Sequence, residues 1–291
     1  MGRATAGTAA RTRATTRMKL QRLALFHWES RPDCAAAAER LDRELRGAGF
    51  LVVRDQRQFD PRRIDAVVLL GGDGFLLNSL HALGYPPTPF YGLNFGSVGF
   101  LMNPTDGLSG VASLLKESRF HEERHPVLDA RVALTSGGEE TCLAINDFIL
   151  ERSGGQSVRL QVLVGGVLFN EFSGDGVIIA TAAGSTAYNL AAGGPVIHPA
   201  IPAVTVTPLY PHRAAPFDSL QFPVLLPLET SLRVVGSDIE KRPIRLLADG
   251  RPIEGVAEVV VRDSGKRIHL LRNESHEFIA TLARKFIGHG E

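Results

Sequence analysis

The chain has 291 residues, of which 44% are hydrophobic and 22% are charged, and this length and balance are typical of a globular protein with about two domains. Its 32 basic and 31 acidic side chains give a net charge of +1, which excludes a strongly basic nucleic-acid-binding protein. No stretch reaches the roughly 18 uninterrupted apolar residues of a membrane span. The two cysteines, Cys34 and Cys142, are too few for a disulfide framework or a zinc cluster and favour a reducing compartment.

The first seventeen residues differ in composition from the rest of the chain. Residues 1–17 contain four arginines and no acidic residue, with mainly Ala, Thr and Gly between them. This composition is similar to that of an organelle transit peptide, but the segment has no clear apolar face. We expect a disordered tail, or a start codon placed too early with Met18 as the true first residue, and on that interpretation a cytoplasmic protein.

Apolar runs and helical spacings alternate between residues 18 and 119. Ala37, Leu41 and Leu45 share one helical face, with Asp33 as a candidate N-cap. Residues 66–70 are continuously apolar, as in a strand covered on both faces. The predicted strands cover residues 23–27, 50–53, 65–70 and 90–93, and the predicted helices cover residues 33–46, 76–83 and 107–117. This order predicts an α/β domain with an open sheet and flanking helices.

The pattern changes near residue 120. Many short β-type runs follow, broken by Gly, Pro, Asp and Asn, and they predict a β-rich domain over residues 120–271. These runs cover residues 128–134, 144–150, 158–164, 177–181, 232–235, 244–247, 256–261 and 268–271. Within residues 272–291 we expect a closing helix over 275–286, capped by Ser275, that packs back on the N-terminal domain.

The most informative feature is Gly71-Gly-Asp-Gly74, directly after a buried strand. In an open α/β sheet, ligands bind beyond the carboxyl ends of the strands. Glycines let the backbone turn sharply and approach a ligand, and successive N–H groups in such a turn can bind phosphate oxygens. Asp73 is therefore a candidate general base or Mg²⁺ contact in phosphoryl transfer. A plain Gly-Asp-Gly turn is the structural alternative.

Further glycine-rich elements favour a nucleotide site. Gly174-Asp-Gly176 precedes an apolar run, and residues 181–195 then combine hydroxyls, the aromatic ring of Tyr188 and the amide of Asn189 with small residues. Such a surface suits a planar base and a ribose, although close packing alone would also need small residues. Asn146-Asp147 follows another predicted strand and adds an amide and a carboxylate.

Taken together, these motifs resemble those of the NAD kinase family (polyphosphate/ATP-NAD kinases) over nearly all of residues 20–290. The most specific motif is Gly184-Ser-Thr-Ala-Tyr188, since the Gly-Gly-Asp-Gly element is shared with lipid kinases and phosphofructokinases. The remaining matching motifs are Gly92-x-Asn-x-Gly-x-x-Gly-Phe-Leu101, Asn146-Asp147, Gly174-Asp-Gly176, Ala192-Gly-Gly-Pro195, Thr207-Pro-x-x-Pro-His212 and Asp249-Gly-Arg251.

The resemblance implies a two-domain fold with NAD bound in the cleft between an α/β domain and a β-rich domain. It implies transfer of a terminal phosphate to the adenosine-ribose 2′-hydroxyl of NAD, with Asp73 as proton acceptor and Gly71, Gly72 and Gly74 as the phosphate loop. ATP or polyphosphate would be the donor, with Mg²⁺ or another divalent cation. The NAD-binding residues that it implies are Asp73, Gly74, Phe100, Asn146, Asp147, Asp175, Ala183, Thr186, Ala187, Tyr188, Asn189, Leu190, Ala191, Tyr210 and Arg251.

Two alternatives remain beside this interpretation. A related kinase could act on another alcohol, such as a lipid, or a non-catalytic sensor could bind NAD or NADP. Phe75 stands where the family usually has Thr, so a hydroxyl that could serve a phosphate is missing, and this favours the sensor. We also expect a homodimer or a homotetramer, because subunits of the family often complete each other's sites, and neither a nucleic acid nor a membrane partner.

Overall fold

One continuous sheet of fifteen strands runs through the described part of the chain. The computed structural model describes residues 18–97, 99–105, 108–213 and 218–287, so the leader expected at residues 1–17 lies outside the described residues. The strands are β1 (Arg22–His27), β2 (Leu51–Val53), β3 (Ala66–Gly71), β4 (Phe90–Asn94), β5 (Phe120–Leu134), β6 (Glu139–Ala144), β7 (Asp147–Arg152), β8 (Val158–Val164), β9 (Val167–Gly174), β10 (Gly176–Thr181), β11 (Ala203–Leu209), β12 (Val224–Pro227), β13 (Leu232–Gly236), β14 (Ile244–Ala248) and β15 (Arg251–Asn273). The helices are α1 (Pro32–Gly47), α2 (Asp73–Ala82), α3 (Val111–Glu117), α4 (Tyr188–Ala191) and α5 (Phe278–Ile287).

The N-terminal half is the predicted open α/β sheet. Its strands are parallel and lie in the order β4-β3-β1-β2. Alternate residues of β1 and β3 point into two separate cores, one shared with α1 and α3 and the other with α2. Both faces are therefore covered, which explains why these strands are continuously apolar rather than alternating.

The C-terminal half is antiparallel and encloses a core of its own. Two runs predicted as separate strands, residues 256–261 and 268–271, belong to the single 23-residue strand β15. The register of β15 against β5 shifts between Asp263 and Arg267, where Gly265 has φ +74°. A bulge of this kind lets one strand bend and continue, so the polar interruption in the sequence marks a bend and not a strand end.

β15 also joins the two halves. Leu270 pairs with Phe90 of β4 in parallel, while the first residues of β5 pair with the end of β15. A further core cluster combines Leu76 of α2 with Val127, Ile145 and Ala183 of the C-terminal half. The predicted fold class is confirmed, whereas the domain boundary placed at residue 120 stays a prediction, because the sheet is continuous across it.

Four helix starts differ from the sequence-based expectation, and one of them is α3, which begins at Val111 rather than at residue 107. α1 begins at Pro32 with Arg31 as its N-cap, so Asp33 lies in the first turn and is not the cap. α2 begins at Asp73, three residues earlier than predicted, because the extended backbone of Gly72 allows the helix to start there. α5 begins at Phe278, so Ser275 does not cap it. None of the described helices is both long and apolar enough to cross a membrane.

Candidate active site

Asp73 lies at the junction between β3 and α2. Gly72 is the N-cap residue, so Asp73 and Gly74 form the first helical turn rather than a loop before it. An added Cβ at Gly71 would come within 2.6 Å of the Phe75 ring, so a side chain there would force the ring to move. An added Cβ at Gly74 would meet no atom within 4 Å. Open space therefore lies beside the first turn of the helix.

The Asp73 carboxylate is held by two backbone amides. The N–H of Phe100 donates to Oδ2 at 2.8 Å, and the N–H of Leu101 donates to Oδ1 at 3.2 Å. Burial raises the pKa of Asp73, and it outweighs the opposing effects of these amides and of the positive charges of Arg272 and Lys285. A carboxylate with a raised pKa accepts a proton more readily than an exposed aspartate, which suits a general base.

A buried arginine positions the peptide that holds Asp73. Arg272 Nη2 donates to the carbonyl oxygen of Phe100, the residue whose N–H binds Asp73. The Arg272 side chain is 2% exposed, and its Nε lies 3.0 Å from Oε2 of Glu123. Burial alone would raise the pKa of Glu123, but the nearby His121 and His125 of β5 and the charge of Arg272 hold this pKa well below its usual range. A buried, ionised pair thus ties β15 and β5 to the candidate base.

A second acidic group lies where β6 ends and β7 begins. The Asp249 carboxylate accepts hydrogen bonds from the successive N–H groups of residues 145, 146 and 147, at 2.9, 2.8 and 3.2 Å. Burial and the charge of Asp249 raise the pKa of Asp147 to about 7. The Oδ1 atom of Asn146 is buried without a hydrogen-bond partner among the described residues. A buried acceptor without a partner is costly, so a ligand that donates a hydrogen bond to this atom would remove that cost.

The segment from Ala183 to Ala191 packs against this turn. It contains a 3-10 turn at Gly184–Thr186, followed by α4. An added Cβ at Gly184 would come within 2.1 Å of the carbonyl oxygen of Asn146, so the two backbones can approach only if glycine stands there. Two of the motifs that carry the family resemblance, Asn146-Asp147 and Gly184-Ser-Thr-Ala-Tyr188, therefore lie side by side and form one wall of the candidate site.

Asn189 uses its side chain inside the protein. The residue is fully buried, its Nδ2 donates to the carbonyl oxygens of Ser185 and Pro195, and its Oδ1 accepts from the Thr207 hydroxyl at 2.7 Å. This amide closes the loop around α4. Asn189 therefore has a structural role in this loop. The ligand contact that the resemblance implies for Asn189 stays a prediction.

A separate end of the site contains Asp175, Tyr188 and Tyr210. These residues line a cavity of about 320 Å³, and the Asp175 carboxylate lies 3.0 Å from Nε of Arg152. Asp147 pairs with Ala180 near one end of β10, whereas Asp175 directly precedes the other end. At about 3.3 Å per residue, the two acids are separated by roughly the length of that strand. The predicted NAD-binding residues thus form two groups, one around Asp73 and Asp147 and one around Asp175.

The C-terminal helix α5 lies against the Asp73 group. The ring centroids of Phe278 and Phe100 are 6.2 Å apart. Lys285 Nζ lies 4.7 Å from the Phe100 ring centroid and donates to the carbonyl oxygen of Thr186 at 3.0 Å. α5 therefore connects the loop after β4 with the Thr186 turn.

A larger cavity, of about 690 Å³, opens at the carboxyl ends of β1 and β2. Trp28, Arg54 and Phe75 are among its lining residues, and the N–H of Trp28 donates to the carbonyl oxygen of Leu70 at 3.0 Å. The strand order reverses direction between β1 and β3, and such switch points are where open α/β sheets bind ligands. Phe75 lines this cavity and also lies against Gly71, so the cavity adjoins the Gly71–Gly74 segment.

Arg251 connects the two halves, since its Nη2 donates to Oδ1 of Asn78 on α2 at 3.0 Å. Sequence analysis did not identify Arg272, Glu123 or Lys285. A charged residue directly after the buried pair Leu270-Leu271 was an available signal for Arg272. Lys285 gave none, because a lysine in the last turn of an amphipathic helix is ordinary.

Within the described ranges, no group of three or more His, Cys, Asp and Glu side chains is arranged to hold a metal ion. Both oxygens of Asp73 already accept backbone hydrogen bonds.

Comparison with known proteins identifies close relatives. Residues 145–262 match the family model of the ATP-NAD kinase C-terminal domain. A curated NAD kinase from Rhizobium meliloti (strain 1021) is 37% identical over 210 residues, which cover 71% of this chain and 78% of that protein.

Solved structures show the same fold. Yeast NADH kinase complexed with NADH superposes with a TM-score of 0.79 at 22% identity, over 94% of this chain and 89% of that one. An NAD kinase from Archaeoglobus fulgidus in complex with ATP gives a TM-score of 0.70 at 24% identity, over 87% of this chain and 94% of that one.

Proposed function

The chain belongs to the NAD kinase family, and from this premise we propose that it transfers the terminal phosphoryl group of ATP, or of polyphosphate, to the adenosine-ribose 2′-hydroxyl of NAD, giving NADP. The observation that carries the proposal is the Asp73 carboxylate, which backbone amides hold at the first turn of α2 beside open space. Neither a lipid kinase nor a non-catalytic sensor gains support from the relatives, which are NAD kinases.

The proposed step is an in-line phosphoryl transfer. The 2′-hydroxyl oxygen attacks the terminal phosphorus, the new O–P bond forms, and the bond from that phosphorus to its bridging oxygen breaks, so that ADP or the shortened polyphosphate leaves. Asp73 accepts the hydroxyl proton. An alcohol is a poor nucleophile at neutral pH, and a positioned base with a raised pKa lowers this barrier, while most of the rate comes from positioning.

We place the acceptor along the wall that starts at Asn146. Asn146, Asp147, Ala183 and the residues from Thr186 to Ala191 would bind its adenosine part, with Phe100 near the adenine. The Asp175 and Tyr210 end would bind the remainder of the dinucleotide, and the length of β10 between the two groups supports an extended ligand. Gly74 and Arg251 would make further contacts.

We place the donor on the other side of Asp73. The first turn of α2 directs backbone N–H groups toward the open space, and the positive end of a helix dipole favours phosphate there. The cavity lined by Trp28 and Phe75 has room for a base, and aromatic rings suit such a ligand. A divalent cation would arrive with the donor triphosphate as part of the substrate.

A direct assay tests the proposed function. Purified protein is incubated with NAD and either ATP or polyphosphate, and NADP is measured with an NADP-specific dehydrogenase. We expect NADP with at least one donor. Phosphorylation of a lipid but not of NAD would support the lipid kinase, and calorimetric NAD binding without NADP formation would support the sensor.

Cytoplasmic location and self-association are part of the same proposal. Cys34 and Cys142 are free thiols, which agrees with a reducing compartment. Tyr210 is 79% exposed at the edge of the Asp175 cavity, where a second copy could complete the site. Light scattering after size-exclusion chromatography would distinguish a monomer from the expected homodimer or homotetramer.

A further inference from the structure

The C-terminal helix brings a cation to the candidate active site that none of the sequence motifs includes. Lys285 Nζ lies over the Phe100 ring, 4.7 Å from its centroid, and the N–H of the same Phe100 binds the Asp73 carboxylate. The ammonium group also donates to the carbonyl oxygen of Thr186 at 3.0 Å. It therefore lies between the segment that holds the candidate base and the segment proposed to hold the acceptor sugar.

Lys285 differs from Arg272 in being open to solvent and in having no carboxylate partner in the described part of the chain. Arg272 is buried and engaged by Glu123, and Arg251 donates to Asn78. Lys285 is exposed, and its ammonium group forms no ion pair with any carboxylate of the described residues. Neither Lys285 nor Arg251 has a carboxylate partner among the described residues, and of the two it is Lys285 that lies against Phe100, whose N–H binds Asp73.

Phosphoryl transfer creates a need for such a charge. In the loose transition state, negative charge spreads over the three equatorial oxygens of the group in transit, and catalysis consists largely of neutralising it. A protein cation next to both the base and the acceptor would neutralise part of this negative charge in the transition state.

We propose that Lys285 is a catalytic residue whose ammonium group contacts an oxygen of the phosphoryl group during its transfer to the acceptor hydroxyl. The proposal rests on the proposed function, since it concerns the same reaction. The ordinary role of a lysine in the last turn of a helix is to stabilise the helix dipole in solvent. That role would leave turnover unchanged.

Two variants of Lys285 and one of its neighbour separate these roles. Lys285→Gln removes the charge and keeps most of the length, and Lys285→Arg keeps the charge. Arg284→Gln is the matched control, because it removes one charge from the same helical turn, where Arg284 Nη2 donates to the Thr281 hydroxyl at 3.2 Å. For each protein we would measure kcat, both KM values, the calorimetric Kd for NAD without donor, and the melting temperature.

Loss of a charge-assisted contact made in the transition state predicts that K285Q lowers kcat about 10- to 100-fold. Its Kd for NAD and its melting temperature should stay close to those of the parent. K285R should retain clearly more turnover than K285Q, and R284Q should stay within about twofold of the parent in kcat.

Three results would overturn the inference: a kcat of K285Q near that of the parent, an equal loss in R284Q, or a K285R variant no better than K285Q. If the parent protein itself makes no NADP, the proposed function fails instead. If the parent is active and K285Q is equally active, Lys285 has no catalytic role and the proposed function stands.

Discussion

Asp73 and Asp175 are both glycine-flanked aspartates, yet the structure treats them differently. Asp73 accepts two backbone hydrogen bonds, and one of the two donor residues, Phe100, is in turn held at its carbonyl oxygen by the buried Arg272. Asp175 lies in an open cavity and pairs with Arg152, with both side chains partly exposed to solvent. The same short motif thus produces one buried carboxylate held by the backbone and one partly exposed carboxylate held by an ion pair. We expect the Asp73 end to determine the rate of the reaction and the Asp175 end to contribute to affinity.

The largest effect is expected from Asp73→Asn. An amide cannot accept the hydroxyl proton, so kcat should fall about 10²- to 10⁴-fold, the usual contribution of a general base, while calorimetric NAD binding is retained. Asp65→Asn is a matched control, because Asp65 also accepts two backbone hydrogen bonds, both at 2.7 Å, from residues 21 and 22. Near-parental turnover of D73N would remove Asp73 from the role of base.

Arg272→Met tests the support behind Asp73. The change leaves Glu123 charged and buried, and removing one partner of such a pair costs about 3–5 kcal/mol of unfolding free energy, measurable by urea denaturation. Arg152→Met breaks the exposed pair at the other end of the site and should cost no more than about 1 kcal/mol. Equal costs for the two variants would contradict the contrast between a fixed end and an open end.

Asp147→Asn tests the buried acid beside the Asp73 group. The folded-state pKa of Asp147, about 7, lies above that of an unfolded aspartate, so the folded protein holds a proton that the unfolded chain releases. The free energy of unfolding should therefore fall as the pH rises from about 4 to 7.

In D147N this part of the pH dependence should disappear, leaving the variant more stable than the parent at pH 8 by on the order of 1–3 kcal/mol. Urea denaturation at pH 5.5 and pH 8 measures the difference. Asp175→Asn is the control, since that carboxylate is partly exposed. An unchanged pH dependence in D147N would show that Asp147 does not titrate in this range.

The smallest effect is expected from Asp175→Asn on the reaction itself. Loss of one contact at an exposed position should raise the KM for NAD by roughly 3- to 10-fold, equivalent to about 1 kcal/mol, with kcat unchanged. Arg152→Gln breaks the same ion pair and keeps the carboxylate, so it separates the acid from its partner. A fall in kcat comparable to that of D73N would show that both ends take part in the chemical step.

Local patterns were sufficient for much of the fold. The apolar run of β3 correctly predicted a buried strand, and the break in pattern near residue 120 marked the change from parallel to antiparallel pairing. The ligand-binding role of the glycines that follow β3 stays a prediction. The start of α2 at Asp73 was missed because it depends on the backbone conformation of Gly72, which composition does not reveal.

The parts of the site that escaped prediction depend on distant contacts. Arg272 reaches Phe100 across 172 residues of sequence, and Lys285 reaches Thr186 across 99. No local spacing rule connects such residues, and each looks ordinary in its own segment. Asp249 belonged to a recognised motif, but its hydrogen bonds to the turn at residues 145–147 appear only when β14 lies beside β7.

The length of β15 has a consequence for how the protein is made. β4 lies at the margin of the N-terminal sheet until Leu270 is available to pair with Phe90, so a strand synthesised early is completed by one synthesised about 180 residues later. Asn103 pairs with Leu93 at one end of β4, but until β15 is made the Phe90 end has an uncovered edge of the kind that recruits other chains. Premature termination before residue 270 would therefore yield an aggregation-prone fragment rather than a smaller working protein, and the emerging chain would be a natural client for chaperones.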